Sequence, residues 1–218
     1  MNLSWLLAAH LNGWAPASIL DAYEAERWPI TSQVSRFAMS HAEAEIRRRG
    51  AVPDHIEDEG PEGEAARAEV GRLAYEINVQ QYACAGLNFG TYYDRSPIIA
   101  YDGAEQPAYT MDSYTPSTVP GCRTPHLWRE DGTSLYDAMG SEFTLLRFDF
   151  AVDVAALERA ARQRKVPLKV LDVALPEAAA FQSSRLVLSR PDQHVAWRGN
   201  SLPSDPLALI DHVRGVAQ

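Results

Sequence analysis

Residues 143–173, FTLLRFDFAVDVAALERAARQRKVPLKVLDV, decide how the chain folds. The opening FTLLRFD (143–149) is a run of apolar and β-favouring residues of strand length. VAALERAARQR (154–164) then places its apolar residues at helical spacing behind Asp153, a side chain able to cap the first turn. PLKVLDV (167–173) returns to strand character. A strand, a helix and a second strand at this spacing form a crossover unit, which pairs its two strands in parallel.

Working outward, RLVLSR (185–190) and HVAWR (194–198) flank the short link PDQ and read as an antiparallel hairpin. Asp205-Pro206 then opens a final helix through LALIDHVRGV. The order βαβ followed by ββα is that of a thioredoxin-like βαβββα domain, assigned here to 143–218. Redox chemistry on that fold needs paired thiols, and the sequence has no CxxC. Its two cysteines, Cys84 and Cys122, lie outside this stretch and read as buried thiols in a reducing compartment.

The first 112 residues read as helical, with one short extended stretch, so the fold class is α/β. NLSWLLAAHL (2–11) sets Leu3, Leu6, Leu7 and Leu11 on one stripe, and Asn12-Gly13 supplies a stop. Only Met1 and Asn2 are there to cap this helix, so an upstream partner is expected. A second helix through ILDAYEAER is expected to break or kink at Pro29. It resumes through Val34, Phe37, Ala38, His41 and Ile46 to Arg47, Arg48, Arg49 and Gly50, a basic last turn suited to the helix dipole. DHIEDEGPEGE (54–64) holds six acidic residues and reads as a mobile, solvated loop. A third helix runs from Ala65 through Val70, Leu73, Ala74 and Ile77 and ends near Ala85-Gly86. GLNFGTYYDRSPIIAYDG (86–103) then reads as strands or extended backbone.

Of 218 residues, 46% are hydrophobic and 22% charged, a balance typical of a globular protein with a sizeable core. The net charge of −9 argues against affinity for nucleic acid or anionic membranes, both of which need a positive field. No apolar run approaches the roughly 20 residues that span a bilayer. The amino terminus lacks a basic leader, so the cytoplasm is the expected compartment.

Between the two parts, YTPSTVPGCRTPHLW (114–128) lies in a proline-rich connection, 113–142. Its Cys122, Arg123 and His126 could form a site. The reading adopted is that Arg123 and His126 order the connection by bonding backbone carbonyls, with Cys122 packed beneath. His194 reads as a hairpin residue, since no triad pattern surrounds it. No catalytic or metal-binding residue is assigned. Asn88, Tyr92 and Tyr93 are the candidates for substrate contact, because polar tips and ring faces on extended backbone can line a cavity.

Three strings together resemble a known family. NLSWLLAAHLNGWAPASILDAYEAERWPI, with Tyr23, Glu26, Arg27 and Pro29, is similar to the segment that follows the second flavin-binding motif of single-component FAD-dependent aromatic hydroxylases. These are the phenol, hydroxyphenylpropionate and polyketide hydroxylases, and Leu6 stands where they usually have lysine. PSTVPGCRTPHLW with DGTSLYDAMGSEFTLLRF, and LVLSRPDQHVAWRG, resemble their carboxy-terminal thioredoxin-like extension. The resemblance implies hydroxylation of a phenolic substrate with NAD(P)H and O2, using FAD. The chain itself has no GxGxxG after a strand; its nearest glycine pairs are GPEG and GLNFG. No FAD is therefore expected on this chain alone, and an upstream FAD-binding segment or subunit is the expected partner. The alternative is a non-catalytic module that dimerises through Leu3, Leu6, Leu7 and Leu11; a homodimer is expected on either reading.

Overall fold

The computed structural model describes residues 2–174, 181 and 184–216. Its sheet has four strands, β1 (Phe143–Arg147), β2 (Leu168–Asp172), β3 (Leu186–Ser189) and β4 (Val195–Gly199), in the order β2-β1-β3-β4. β1 runs parallel to β2, with Leu145 opposite Val170, and antiparallel to β3, with Leu145 opposite Leu188. β3 and β4 form the antiparallel hairpin, with an irregularity between Leu188 and Ser189. Counting helices in chain order, those of this unit are α5 (Leu135–Met139), α6 (Ala155–Gln163) and α7 (Pro206–Val213). The thioredoxin-like order read from the sequence is the observed one. Asp205 caps α7, its Oδ1 accepting from the Ala208 amide at 2.9 Å, whereas Asp153 stands one residue before the N-cap of α6, Val154, and its Oδ1 accepts from the Ala155 amide at 2.9 Å.

Both faces of the sheet are covered, which is why β1 shows no alternation of polar and apolar residues. Phe143, Leu145, Leu186, Leu188 and Ala196 join one core with Leu157, Ala160 and Ala161 of α6 and Leu209, Ile210 and Val213 of α7. Leu146, Val187 and Val195 face the other way, against Leu135, Met139, Phe148 and Phe181.

The amino-terminal helices are α1 (Asn2–Leu11), α2 (Asp21–Gly50), α3 (Pro61–Tyr82) and α4 (Ala85–Phe89). The first core extends into them: Trp5, Leu6 and Ala9 of α1, with Trp14, Ile19 and Ala22, belong to the same cluster as Phe143. Trp5 and Trp14 meet the Phe143 ring edge-on at 5.9 and 6.1 Å. Burying a side chain of that size contributes roughly 1.5–3 kcal/mol, so the strand ring and the helix rings stabilise one another. Ser18 Oγ donates to the Gly215 carbonyl at 2.6 Å, closing the seam from the other end of the chain.

Several expectations are corrected. Leu6 alone of the four leucines faces the core; Leu3, Leu7 and Leu11 are exposed, and the buried face of α1 is Trp5, Leu6 and Ala9. α2 is not broken at Pro29 but runs through it for 30 residues. Glu26 and Ile30, buried on either side, hold the helix where proline withdraws one amide. The acidic stretch is exposed but not without structure: Asp54–Glu57 form a 3-10 turn and α3 begins at Pro61. Arg67 fastens this turn by donating to the carbonyls of Ile56 and Asp58. α3 ends at Tyr82, and the start of the stretch read as extended is α4. The described residues of 90–103 include no strand, although Ala100 donates its amide to the Ala196 carbonyl of β4 at 2.8 Å.

Candidate functional site

Glu26 of α2 and Arg190, the residue after β3, meet with no solvent exposure of either side chain. Arg190 donates from Nη1 and Nη2 to the two oxygens of Glu26 at 2.5 and 2.8 Å. It also donates from Nε and Nη2 to the two oxygens of Asp192, at 3.1 and 2.7 Å. One guanidinium is thus held in a planar fork by two carboxylates, the geometry that arginine satisfies and lysine cannot. Asn2 Nδ2 donates to Glu26 at 2.7 Å and to Asp192 at 3.2 Å, and Ser96 Oγ donates to Glu26 at 2.5 Å. Trp5 and Tyr93 close the cluster, with the guanidinium 4.9 and 5.2 Å from their ring centres.

Local structure explains the placement. Glu26 follows the buried Ala22 by one helical turn and precedes the buried Ile30 by another, so it lies on the inward face of α2. Arg190 and Asp192 sit in the tight link between β3 and β4, where Gln193 takes φ +67° and its amide donates to the Arg190 carbonyl at 2.9 Å. Burial by itself would raise the Asp192 carboxyl; the Arg190 charge overrides it and holds the group well below the usual carboxylate range. The same two carboxylates outweigh desolvation at Arg190 and raise its pKa. Tyr93 is pushed up to about 12, by burial first and then by the negative charge of Asp192. Charges removed from water this completely are stable only as a satisfied set. The arrangement clamps two segments together.

The sequence-predicted residues do not converge. Tyr93 joins the cluster: its hydroxyl accepts from Asn2 at 3.3 Å and its ring stacks on His194 at 4.2 Å. Tyr92 lines an open hollow of about 230 Å³ together with Ile30, Gln33, Arg36 and Tyr109. Asn88 is exposed on α4 and donates to Cys84 Sγ at 3.6 Å. Arg123 donates to the Gln193 side chain at 2.8 Å and lies over the Phe89 and Tyr136 rings. His126 bonds the Ser134 hydroxyl at 2.9 Å between Trp128 and Tyr136. Both therefore bond side chains rather than backbone carbonyls. Cys122 is buried and its thiol pushed up to about 11, chiefly by desolvation. His194 Nδ1 contacts the Asp192 carbonyl at 3.1 Å. Glu26, Arg190 and Asp192 stand within the family-like strings of the sequence, where their charges have no evident role. The signal was present: an acid on the apolar face of a helix, and Arg-Pro-Asp at a hairpin turn.

No group of three or more His, Cys, Asp or Glu among the described residues could hold a metal ion, and none of the described helices is long and apolar enough to cross a membrane. A dinucleotide needs glycines whose missing side chains leave room for phosphate oxygens. At Gly63 and Gly86 that room is taken by the chain itself: an added Cβ would lie 2.0 Å from the Asp58 carbonyl oxygen and 1.8 Å from that of Thr110. These glycines serve internal packing, and the residues around them do not fit FAD.

Comparison with known proteins matches residues 117–215 to the family described as aromatic-ring hydroxylase, C-terminal, and residues 1–38 to the FAD binding domain family. Phenol 2-monooxygenase of Pseudomonas sp. (strain EST1001) is 32% identical over 98% of this chain and 40% of its own length. The FAD-dependent monooxygenase opdD of Penicillium oxalicum is 30% identical over 93% of this chain and 40% of its own. Among solved structures, the rebeccamycin biosynthetic enzyme RebC with reduced flavin superposes with a TM-score of 0.87 at 37% identity. That match covers 99% of this chain and 40% of RebC. The flavin-dependent monooxygenase PieE, in complex with FAD and substrate, gives 0.75 at 26% identity over 99% of this chain and 42% of its own. The chain spans about two fifths of the length of these relatives.

Proposed function

Because the chain belongs with the FAD-dependent aromatic-ring hydroxylases, as the counterpart of their carboxy-terminal part, we propose that it completes such a monooxygenase, hydroxylating a phenolic substrate with NAD(P)H and O2. FAD is the cofactor of the family and supplies the oxygen chemistry; its nucleotide is gripped by a flavin-binding segment outside this chain. The part played by this chain is mechanical and steric. The observation that carries the reading is the buried cluster. Glu26 lies in the segment matching the FAD binding family, while Arg190 and Asp192 lie in the segment matching the hydroxylase C-terminal family. The clamp fixes the thioredoxin-like unit against the helices that continue the flavin-binding segment.

On this reading the chain is inactive alone. Tyr92, which lines the open hollow with Ile30 and Arg36, is the residue of the three candidates best placed to touch substrate or the flavin-binding segment. Two free, buried cysteines accord with work in the cytoplasm. The test mixes the purified chain with a flavin-binding amino-terminal segment and measures phenol-dependent NAD(P)H oxidation. Turnover should require both pieces. No gain on mixing, or a chain that carries stoichiometric FAD and turns over a phenol unaided, removes the proposal.

A further inference from the structure

Two arginines meet the hairpin link, and their charges are treated differently. Arg190 is held by two carboxylates. Arg123 has no acidic partner among the described residues: its Nη2 donates to Gln193, and the Phe89 and Tyr136 rings lie 5.5 and 5.1 Å from its guanidinium. A ring attracts the flat face of a guanidinium. It offers nothing to the Nε–H, which lies in the guanidinium plane, and the Arg123 Nε is buried without an acceptor. A buried N–H left unmet is destabilising, and native chains carry few of them.

Arg123 also lines a partly enclosed cavity of about 10 Å³, space for a single water-sized group. Phe89, Tyr109, Tyr114, Ser117 and Cys122 stand with it, and no Asp or Glu lines the cavity. Tyr109 donates to Met111 Sδ, and Ser117 Oγ accepts from the Val119 amide. The Tyr114 phenol, which feels the Arg123 charge, makes no hydrogen bond among the described residues. The cavity thus brings together two donors without acceptors, one of them on a cation without a counter-ion. Such a set calls for negative charge, and the space limits that charge to a single atom; carboxylates, sulfate and phosphate are too large. We infer that this cavity, walled by residues 89–92, 107–117 and Cys122-Arg123, is a halide site in which chloride accepts from Arg123 and Tyr114. The ion ties residues 107–117 to Arg123 and, through Gln193, to the link between β3 and β4. The inference does not depend on the monooxygenase reading, since it involves neither flavin nor phenol.

The purified chain should broaden the chlorine-35 resonance of dilute sodium chloride, and sodium bromide should reverse the broadening by competition. Its melting temperature should rise saturably with sodium chloride but not with sodium gluconate at equal ionic strength, because gluconate cannot enter. Tyr114→Phe keeps the ring and should raise the chloride concentration that gives half of this rise about tenfold. Arg123→Gln should abolish both effects; if that variant does not fold, Tyr114→Phe decides. Broadening no greater than that of the denatured chain, equal stabilisation by gluconate, or an unchanged chloride dependence in Tyr114→Phe would each overturn the inference and leave the cavity to a water molecule.

Discussion

Replacing Glu26 by alanine tests whether the charge cluster holds the two matched segments together. The carboxylate accepts from Arg190 Nη1 and Nη2, Asn2 Nδ2 and Ser96 Oγ. Its removal leaves Arg190 buried with Asp192 as its remaining charged partner, and the Ser96 hydroxyl without its acceptor, while Asn2 keeps Asp192 and the Tyr93 hydroxyl. Breaking a buried ion pair from one side costs about 3–5 kcal/mol. An unsatisfied buried donor adds about 1–3 kcal/mol before any relaxation. Taking the low end, a loss of about 4 kcal/mol is expected, a large share of the roughly 5–15 kcal/mol by which a domain is stable. At about 2–4 °C per kcal/mol for a chain of this size, the melting temperature should fall by about 8–16 °C. Melts followed by circular dichroism and tryptophan fluorescence measure it. Glu43→Ala, which removes an exposed partner 3.8 Å from Arg47, serves as the control and should leave the melt unchanged. A double-mutant cycle with Arg190→Ala should show strong coupling. If Glu26→Ala melts within about 1 kcal/mol of wild type, or the two changes are additive, the clamp is not what joins the segments.

Two further outcomes follow from the site. Tyr93, Tyr101 and Tyr114 are each pushed up to about 12, in each case chiefly by burial. Because the folded value is raised, the stabilisation is full below the ordinary tyrosine value of about 10 and is lost as pH climbs through about 12. Tyr93→Phe should therefore remove one late phenolate transition from an absorbance titration, and an unchanged titration would contradict the placement of Tyr93. Cys122, raised to about 11, should resist alkylation at pH 8 in the native protein and react once the chain is denatured. Rapid native labelling at that position would show the connection to be open.

The thioredoxin-like unit was readable because its periods are clean: strand runs on either side of a helix with Leu157, Ala160 and Ala161 on one face, then a hairpin about Pro191-Asp192-Gln193. The amino-terminal helices were readable in extent but not in facing. On α1, leucines at helical spacing suggested a stripe, whereas the two flanking tryptophan contacts with Phe143 turn Trp5 and Ala9 inward and leave Leu3, Leu7 and Leu11 outside. Pro29 was read as a break because proline removes an amide; tertiary anchors at Glu26 and Ile30 outweigh that local cost. The members of the clamp carried a local signal, but their pairing did not, since Glu26 and Arg190 are 164 positions apart and meet only in the finished fold.

The single core that takes in Trp5, Trp14 and Phe143 also governs how such proteins can be recombined. A chimera that imports residues 143–218 from a relative receives foreign neighbours for both tryptophans and a foreign counter-ion for Glu26. A crossover anywhere between Trp5 and Phe143 cuts this core, so the helices and the sheet travel as one cassette.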